Sequence, residues 1–185
     1  AAQLQTEALG LARRLLGDTH EQTQAAVGNL ASTHAEMGRH EAALPLFEEQ
    51  LSNCRRRGSD EESTLGAMSN MAAVLGRAGR MDEALRLSRE VLDRTRRLFG
   101  KDHQNTLVSL GDVAILHNLS GDDGAAAPLL EEAVPGLAAA LGAEHPDTRY
   151  FQGLQTRVRA SLREAAAGGE SEREKRAKRR RRGRA

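Results

Sequence analysis

The phrase GDTHEQT at residues 17–23 returns three more times along the chain at nearly constant spacing. The other copies are GSDEEST at 58–64, GKDHQNT at 100–106 and GAEHPDT at 142–148, and their closing threonines are 41, 42 and 42 residues apart. Recurrence at a period of 20–50 residues is the sequence signature of a solenoid, in which each unit buries its apolar face against its neighbours. The sequence therefore predicts a repeat array, a kind of protein that generally binds others.

Each period also holds two segments of about 16 residues with apolar residues at the helical spacing of i, i+3, i+4 and i+7. A second glycine-led phrase, at 38–44, 79–85 and 121–127, separates the two segments. A linker of two or three residues forces such helices into an antiparallel hairpin, and no stretch alternates as a strand would. We therefore predict an all-α fold of antiparallel helix pairs, with a core that includes Leu30, Leu44, Met71, Leu75, Leu85 and Val113.

The ends of the helices carry their own signals. Thr19 and Gln22 have the spacing of a capping box, in which a hydroxyl and an amide satisfy free amide protons at a helix start. Asp60 and Asp102 are candidate caps for later helices, and Pro146 suits a first turn. Glycine favours the left-handed position that ends a helix, which predicts helix ends at Gly38, Gly79 and Gly121.

At these positions the chain resembles tetratricopeptide arrays of the 42-residue kinesin-light-chain type. The matching phrases cover roughly residues 8–163 and include HPDT at 145–148, NLA at 29–31, NMA at 70–72, EAL at 83–85 and LLG at 15–17. The resemblance implies a right-handed α-solenoid, that is, a tetratricopeptide-like superhelix. Family repeats favour aromatic residues where this chain has His34, His40 and His117. The resemblance is therefore to the class of repeat and not to any one protein.

The repeats divide the chain into six parts. We predict the second helix of a preceding repeat at 1–16, repeats at 17–57, 58–99 and 100–141, a capping helix at 142–166 and a disordered basic tail at 167–185. The third repeat is degenerate, because Asp122-Asp123-Gly124 starts a helix poorly and Val134-Pro135-Gly136 should interrupt one. The chain also enters the repeat midway and without a methionine, which predicts a fragment of a longer protein.

The resemblance also implies a binding site. In this family the first helix of each pair lines a concave groove, and the asparagine of the N-L-A phrase bonds the backbone of a bound peptide. That role falls to Asn29 and Asn70, with Asp112 in the equivalent place of the third repeat. The predicted peptide-binding groove thus contains Asn29, Ser32, Ser69, Asn70, Arg77, Asp112 and Asn118. The alternative is a solvated face whose asparagines serve packing or capping.

The net charge of +1 conceals two oppositely charged regions. Residues 171–185 contain nine Lys or Arg and two Glu, for a net +7, whereas residues 1–170 carry a net −6. A block of like charge repels itself and buries nothing, which favours disorder. Its cations could bind a polyanion such as a nucleic acid without base specificity, or an importin: Lys175, Arg176, Lys178, Arg179, Arg180, Arg181, Arg182 and Arg184. The alternative is a solvated end with no dedicated partner.

Composition argues against several other classes. The single cysteine, Cys54, excludes a disulfide framework and suits a reducing compartment, and no apolar run is long enough to span a bilayer. His20, His103 and His145 share one phase of the repeat, so they should lie at separate helix starts and not converge on a metal. No phosphate-binding loop or zinc-protease motif is present. The sequence thus predicts no cofactor, metal or catalytic residue.

We therefore predict a non-catalytic scaffold in the cytoplasm that binds a partner peptide in a concave groove. A nucleic-acid-associated or nuclear protein acting through its tail is one alternative. A regulatory repeat module of a larger enzyme or signalling ATPase is another. The sequence leaves the oligomeric state open.

Overall fold

The computed structural model describes the backbone of residues 2–57 and 61–182, and the side chains of 2–56 and 61–167. These residues form eight helices and no strand: α1 (Ala2–Leu16), α2 (Glu21–Glu36), α3 (His40–Arg57), α4 (Glu61–Arg77), α5 (Met81–Phe99), α6 (Gln104–Leu119), α7 (Asp123–Leu141) and α8 (Pro146–Arg182). Successive helices pack as antiparallel pairs into a tetratricopeptide-like superhelix, so the predicted fold class is confirmed. The candidate cap Asp60 lies outside the described residues.

The helices fall into two sets that occupy different sides of the array. The first helices, α2, α4, α6 and α8, contact one another across successive repeats. The second helices, α1, α3, α5 and α7, make no contact with one another within the described residues. A stack whose first helices touch while its second helices are splayed apart curves toward the first helices. The first helices therefore line the concave face and the second helices the convex face.

Glycine ends the first helices as the sequence predicts. Gly38, Gly79 and Gly121 have φ values of 72°, 80° and 78°, in the left-handed region that side chains disfavour. The residue after each glycine donates its amide to a carbonyl one turn back, as Arg39 N does to His34 O at 2.9 Å. This bond satisfies a carbonyl that the helix leaves free, and the chain reverses into the next helix.

Histidine caps α2, α6 and α8, which differs from the predicted caps. The ring Nδ1 of His20 accepts a hydrogen bond from Gln22 N at 3.2 Å, and His103 accepts one from Asn105 N at the same distance. His145 Nδ1 accepts from Asp147 N at 3.3 Å. A side-chain acceptor at this position satisfies an amide proton of the first helical turn. The histidines thus take the place predicted for Thr19 and Asp102, and this explains their periodicity.

The core runs the length of the array as clusters of apolar side chains between successive helices. Leu30, Leu44, Leu75 and Val113 are buried, as the helical periodicity predicts. Met71 and Leu85 are half-buried and pack against the edge of these clusters. Of the aromatic residues, Phe47 and Phe151 lie in the core.

Small residues set how closely the helices approach. Ala31, Ala72 and Ala114 on the first helices and Ala43, Ala84 and Ala126 on the second are almost fully buried. At Gly111 the approach is closer still, since a β-carbon there would overlap the ring of Phe151 on α8. A β-carbon at Gly136 would lie 2.7 Å from Leu107 Cδ2 on α6, well inside van der Waals contact.

The last second helix, α7, is continuous, although Pro135 and Gly136 were expected to interrupt it. Packing offsets the missing amide of the proline, because Leu130 and Leu137 are fully buried between α6 and α8, and Ala133 is fully buried in a cluster with residues of α5 and α6. Its start is also better formed than expected. The carboxylate of Asp122 accepts a hydrogen bond from Ala125 N at 3.0 Å and caps the helix.

The backbone of α8 remains helical to Arg182, which differs from the disorder predicted from residue 167. The segment is rich in Ala, Glu, Lys and Arg, all of which have high intrinsic helix propensity. Glu172 and Glu174 also precede Arg176 and Lys178 by four residues, the spacing that favours a helix. Residues 183–185 lie outside the described residues.

Replacing Gly111 by alanine should destabilise the protein by about 1–3 kcal/mol, because the new methyl group forces the Phe151 ring out of its site. The free energy of unfolding, measured by urea titration, checks this. Gly153→Ala is the matched control on α8, where a β-carbon meets no atom within 4 Å. That substitution should stabilise the protein by about 0.5–1 kcal/mol through helix propensity. Equal effects at both positions would contradict the packing argument.

Candidate functional site

The concave face contains a cleft between α4 and α6, with a volume of about 460 Å³. The α5 helix forms part of its wall and the first turn of α8 closes one end. Its lining combines amides, hydroxyls, carboxylates and a few apolar side chains: Glu62, Leu65, Gly66, Ser69, Asn70, Val91, Thr95, Phe99, Asn105, Val108, Ser109, Asp112 and Asp147.

Three of the seven residues predicted for the groove meet in this cleft, namely Ser69, Asn70 and Asp112. Asn70 is exposed, whereas Ser69 and Asp112 are half-buried. Asn29 is exposed and occupies the position on α2 that Asn70 occupies on α4. Asn29 and its half-buried neighbour Ser32 do not line the cleft, so the predicted residues are spread along the concave side and not gathered at one point.

The other two predicted residues, Arg77 and Asn118, lie at the far ends of their helices. Arg77 is exposed in the last turn of α4 and does not line the cleft. The amide of Asn118 donates a hydrogen bond to the Asp123 carboxylate at 2.7 Å, which ties the end of α6 to the start of α7. This bond accounts for Asn118 without a ligand.

Hydrogen bonds within the cleft fix two of its polar groups. Asn105 Nδ2 donates to Glu62 Oε1 at 3.1 Å and so links α6 to α4 across the cleft. Ser109 Oγ donates to the backbone oxygen of Asn105 at 2.8 Å. Among the described residues, the carboxylate of Asp112 accepts no hydrogen bond. The cleft thus combines a rim that hydrogen bonds hold in place with a carboxylate that can accept a hydrogen bond from a ligand.

The cleft is electrically negative. Glu62, Asp112 and Asp147 contribute carboxylates, and none of the described residues that line it is basic. Burial raises the pKa of Asp112 to about 6, and the nearby carboxylate of Asp147 adds to the effect. The raised pKa means that the charged form is destabilised, because burial removes water that would solvate the carboxylate. A cation or a hydrogen-bond donor at this point would stabilise the charged form.

The apolar part of the cleft lies deeper. Leu65 and Val91 are buried, and Val108 and Phe99 are half-buried beside them. The ring of Phe99 stacks on the ring of His103 with centroids 4.6 Å apart, which fixes its position at the end of α5. A ligand could therefore contact both a polar rim and an apolar floor.

Sequence reasoning missed Glu62, Asn105, Ser109 and Asp147 as lining residues. Asn105 and Asp147 each directly precede the closing threonine of their repeat phrase, so the period itself places them at equivalent positions. The phrase by itself indicates only a helix start, so it does not mark these residues as part of a groove.

A second groove of about 620 Å³ lies on the convex side, between α3 and α5. Its floor includes Met71 and Leu75 of α4, and charged residues of both signs, among them Arg55 and Arg86, line its rim. The mixed charge of this groove indicates no particular ligand.

No metal or catalytic centre was identified in the described part of the chain. No group of three or more His, Cys, Asp or Glu side chains in it could hold a metal ion. Among its helices, moreover, none is long and apolar enough to cross a membrane. The cationic side chains predicted to bind polyanions, from Lys175 to Arg184, lie outside the side chains that the structure describes.

Comparison with known proteins supports the repeat class. Two family models, both described as tetratricopeptide repeat, match residues 63–139 and 26–61. No curated protein matches the chain. No catalytic family was identified among the matches.

Solved structures share the fold at low sequence identity. One holds nearly identical TPR-like repeats of a kinesin-light-chain-like protein from Podosopora anserina: it is 21% identical, with a TM-score of 0.68 over 91% of this chain and 81% of that one. Another is BtubC (BKLC) from P. vanneervenii, which is 18% identical, with a TM-score of 0.72 over 87% of this chain and 65% of that one. At these identities the likeness shows the fold alone.

The raised pKa of Asp112 predicts a pH-dependent stability. Because the folded protein binds this proton more tightly than the unfolded chain, whose pKa is near 3.8, the contribution of Asp112 to stability grows as the pH falls from about 7 to 4. Asp112→Asn removes the charge and should stabilise the protein at pH 7 by about 1–2 kcal/mol.

Urea unfolding at pH 7 and pH 4.5 checks this prediction. The advantage of the Asp112→Asn variant over the wild type should shrink at the lower pH. Asp93→Asn, at an exposed position on α5, is the control. An advantage of the same size at both pH values would contradict the burial argument.

Proposed function

Because this chain belongs to the tetratricopeptide repeat proteins, we propose that it is a non-catalytic scaffold that binds a segment of a partner protein in its concave groove. Repeats of this family are generally protein–protein interaction modules. The observation that carries the proposal is the cleft between α4 and α6, which brings Asn70 and Asp112 from successive repeats into one concave site.

The proposed mechanism is a backbone clamp. An asparagine amide can donate to a peptide carbonyl and accept from a peptide amide at the same time. Asn29 and Asn70 stand at equivalent positions 41 residues apart, and both are exposed. A segment lying along the concave face could therefore be held at two points, with the small side chains of Ser69 and Gly66 leaving room for its own side chains.

The charge of the cleft supports a preference within this mechanism. A lysine or arginine of the partner would meet the carboxylates of Glu62, Asp112 and Asp147, and charge-assisted hydrogen bonds are stronger than neutral ones. Arg77 offers the opposite contact at the far end of α4. We therefore propose a segment whose basic residue enters the cleft, and whose acidic or carboxylate group, if it has one, lies near Arg77.

A second candidate function rests on the charge separation along the sequence. The +7 of residues 171–185 is an electrostatic footprint for polyanions, and it opposes the −6 of the rest of the chain. In this alternative the protein associates with nucleic acid, or enters the nucleus, through its C-terminal cations. The two functions are compatible because they use different parts of the chain.

The clamp predicts a loss of binding when both asparagines are removed. Peptides would first be selected from a random display library against the wild-type protein, and we expect those selected to carry Lys or Arg. The double variant Asn29→Ala, Asn70→Ala should bind them about 1–3 kcal/mol more weakly, because peptide-backbone hydrogen bonds are lost. Isothermal titration calorimetry measures the difference.

Arg86→Ala, on the convex groove, is the matched control and should leave the affinity unchanged. Circular dichroism should show the same helicity in both variants. Full affinity in the double variant would mean that the peptide binds another surface. Selection of acidic peptides would contradict the charge preference but not the clamp.

Removing residues 171–185 should abolish binding to a DNA duplex and leave the array folded. The buried apolar side chains in the described part of α8, Phe151, Leu154 and Val158, all precede the cut. For the intact chain the binding constant should fall steeply with salt, because bound cations release counterions from the phosphates. Fluorescence anisotropy at several salt concentrations measures the slope.

The selected peptides should bind the truncated protein as well as they bind the intact one. If truncation abolished peptide binding too, the tail and not the groove would be the main interaction site.

A further inference from the structure

The carboxylate of Asp112 is the group in the cleft between α4 and α6 that most lacks a partner. It lines the cleft from α6, and no described residue donates a hydrogen bond to it. The other two carboxylates of the cleft are better satisfied: Glu62 accepts a hydrogen bond from Asn105, and Asp147 is 53% exposed to water. An unpaired, desolvated carboxylate that lines a cavity points to a ligand that carries the opposite charge.

The pair of acids formed by Asp112 and Asp147 is particular to this gap between first helices. Counting from the closing threonine of each repeat phrase, Asp112 occupies the position of Asn29 and Asn70 in the earlier repeats. Asp147 in turn occupies the position of Asn105. The gap between α2 and α4 therefore has two amides, Asn70 and Asn105, at the positions where the gap between α4 and α6 has two acids. The two acids also interact, because the charge of Asp147 contributes to the raised pKa of Asp112.

The residues around the two acids favour an organic cation. In the described part of the chain no group of three or more His, Cys, Asp or Glu side chains could hold a metal ion. The same cleft contains Leu65, Val91 and Val108, which provide no ligands for a metal or its water. A lysine or arginine side chain suits such a lining, because its methylene stem covers apolar surface while its charged end reaches polar groups. The cleft thus fits a basic side chain of the partner.

The arrangement of the acids selects a guanidinium over an ammonium group. Asp112 belongs to α6 and Asp147 to the first turn of α8, so a cation must serve two acceptors that come from different helices. A guanidinium is planar and has five N–H donors in a fixed fork, so two of its edges can donate to two carboxylates at once. It is also more weakly hydrated than an ammonium group, and it therefore loses less solvation beside a desolvated carboxylate.

We propose that the cleft between α4 and α6 binds one arginine side chain of the partner, whose guanidinium bridges the carboxylates of Asp112 and Asp147 in preference to a lysine ammonium. The inference rests on the proposed binding of a partner segment and names the side chain that the cleft selects. The stem of the arginine lies along Val91 and Val108, which line the same cleft. Asn70 lies beside it and bonds the partner's backbone. One arginine position of the partner should therefore dominate the selectivity.

Blocked amino acids test the arginine site without the rest of a peptide. The probes are the N-acetyl, N-methylamide derivatives of arginine, of lysine and of citrulline, which is an uncharged analogue of arginine. Each is titrated to about 50 mM into the isotope-labelled protein and followed by nuclear magnetic resonance. The arginine derivative should bind with a millimolar dissociation constant and shift the side-chain amide signals of Asn70 and Asn105. The lysine derivative should bind at least about threefold more weakly, and the citrulline derivative should not bind.

Variants locate the site. Asp112→Asn and Asp147→Asn should each weaken binding of the arginine derivative at least about fivefold, because each removes one of the two charged acceptors. Asp93→Asn, at an exposed position on α5, removes the same charge elsewhere and is the matched control. It should leave the dissociation constant unchanged.

The pH dependence of binding provides a readout specific to Asp112. The titratable groups that line the cleft with it are Glu62 on α4 and Asp147 on α8, and α5 contributes none to the lining. His145 Nδ1 lies 3.7 Å from the Asp147 carboxylate, on the side of α8. Lowering the pH from 7 to 5 should weaken arginine binding up to about tenfold, because Asp112 has a pKa of about 6 and loses its charge. The Asp112→Asn variant should lack this loss.

Cleft signals that the arginine derivative leaves unchanged would overturn the proposal. Equal affinities for the arginine and lysine derivatives would overturn the selection of a guanidinium, and full binding to the Asp112→Asn variant would overturn its position. Peptides that bind the protein and lose affinity in the Asn29→Ala, Asn70→Ala variant, together with no binding of the arginine derivative, would leave the clamp standing and reject the arginine site. The opposite pattern would support the arginine site and reject the clamp.

Discussion

The structure depends on how closely its helices can approach one another. Alanine stands at the contact of each helix pair, as at Ala72 and Ala84, and glycine stands where helices of adjacent repeats come nearest, as at Gly111 against Phe151. Most of the stability of a helix in a protein comes from packing of its apolar face, so each helix needs neighbours close enough to exclude water from that face. Close approach provides this burial despite the near absence of large aromatic residues.

The same constraint creates the groove. Because the first helices touch across repeats and the second helices do not, the stack curves, and the exposed positions of the first helices lie along its inner side. Side chains at those positions are not required for helix packing, so they can be amides and carboxylates such as those of Asn70 and Asp112. This placement destabilises the charged form of Asp112, whose pKa is raised because its carboxylate lies partly desolvated there without a partner. Groups kept in an unfavourable electrostatic state are typical of binding sites.

The sequence predicted the fold well because period and helical spacing are strong signals that span the whole chain. It predicted Gly38 as a helix end correctly, since only the backbone matters there. It failed where two effects compete. Pro135 was expected to break α7, but burial on both sides outweighs one missing hydrogen bond. Asn70 and Asp112 could be placed by equivalence, whereas Glu62 could not, because its role depends on Asn105 reaching it from the next repeat.

The alternation of helices also separates the surfaces that can act. A ligand in the cleft contacts mainly first helices and the inner ends of their neighbours, whereas the basic residues 171–185 follow the buried side chains Phe151, Leu154 and Val158 of α8 in the sequence. In a solenoid each repeat contacts only its neighbours, so a change in one repeat reaches a distant one only through the repeats between them. Binding in the groove and polyanion binding through residues 171–185 should therefore be nearly independent in energy.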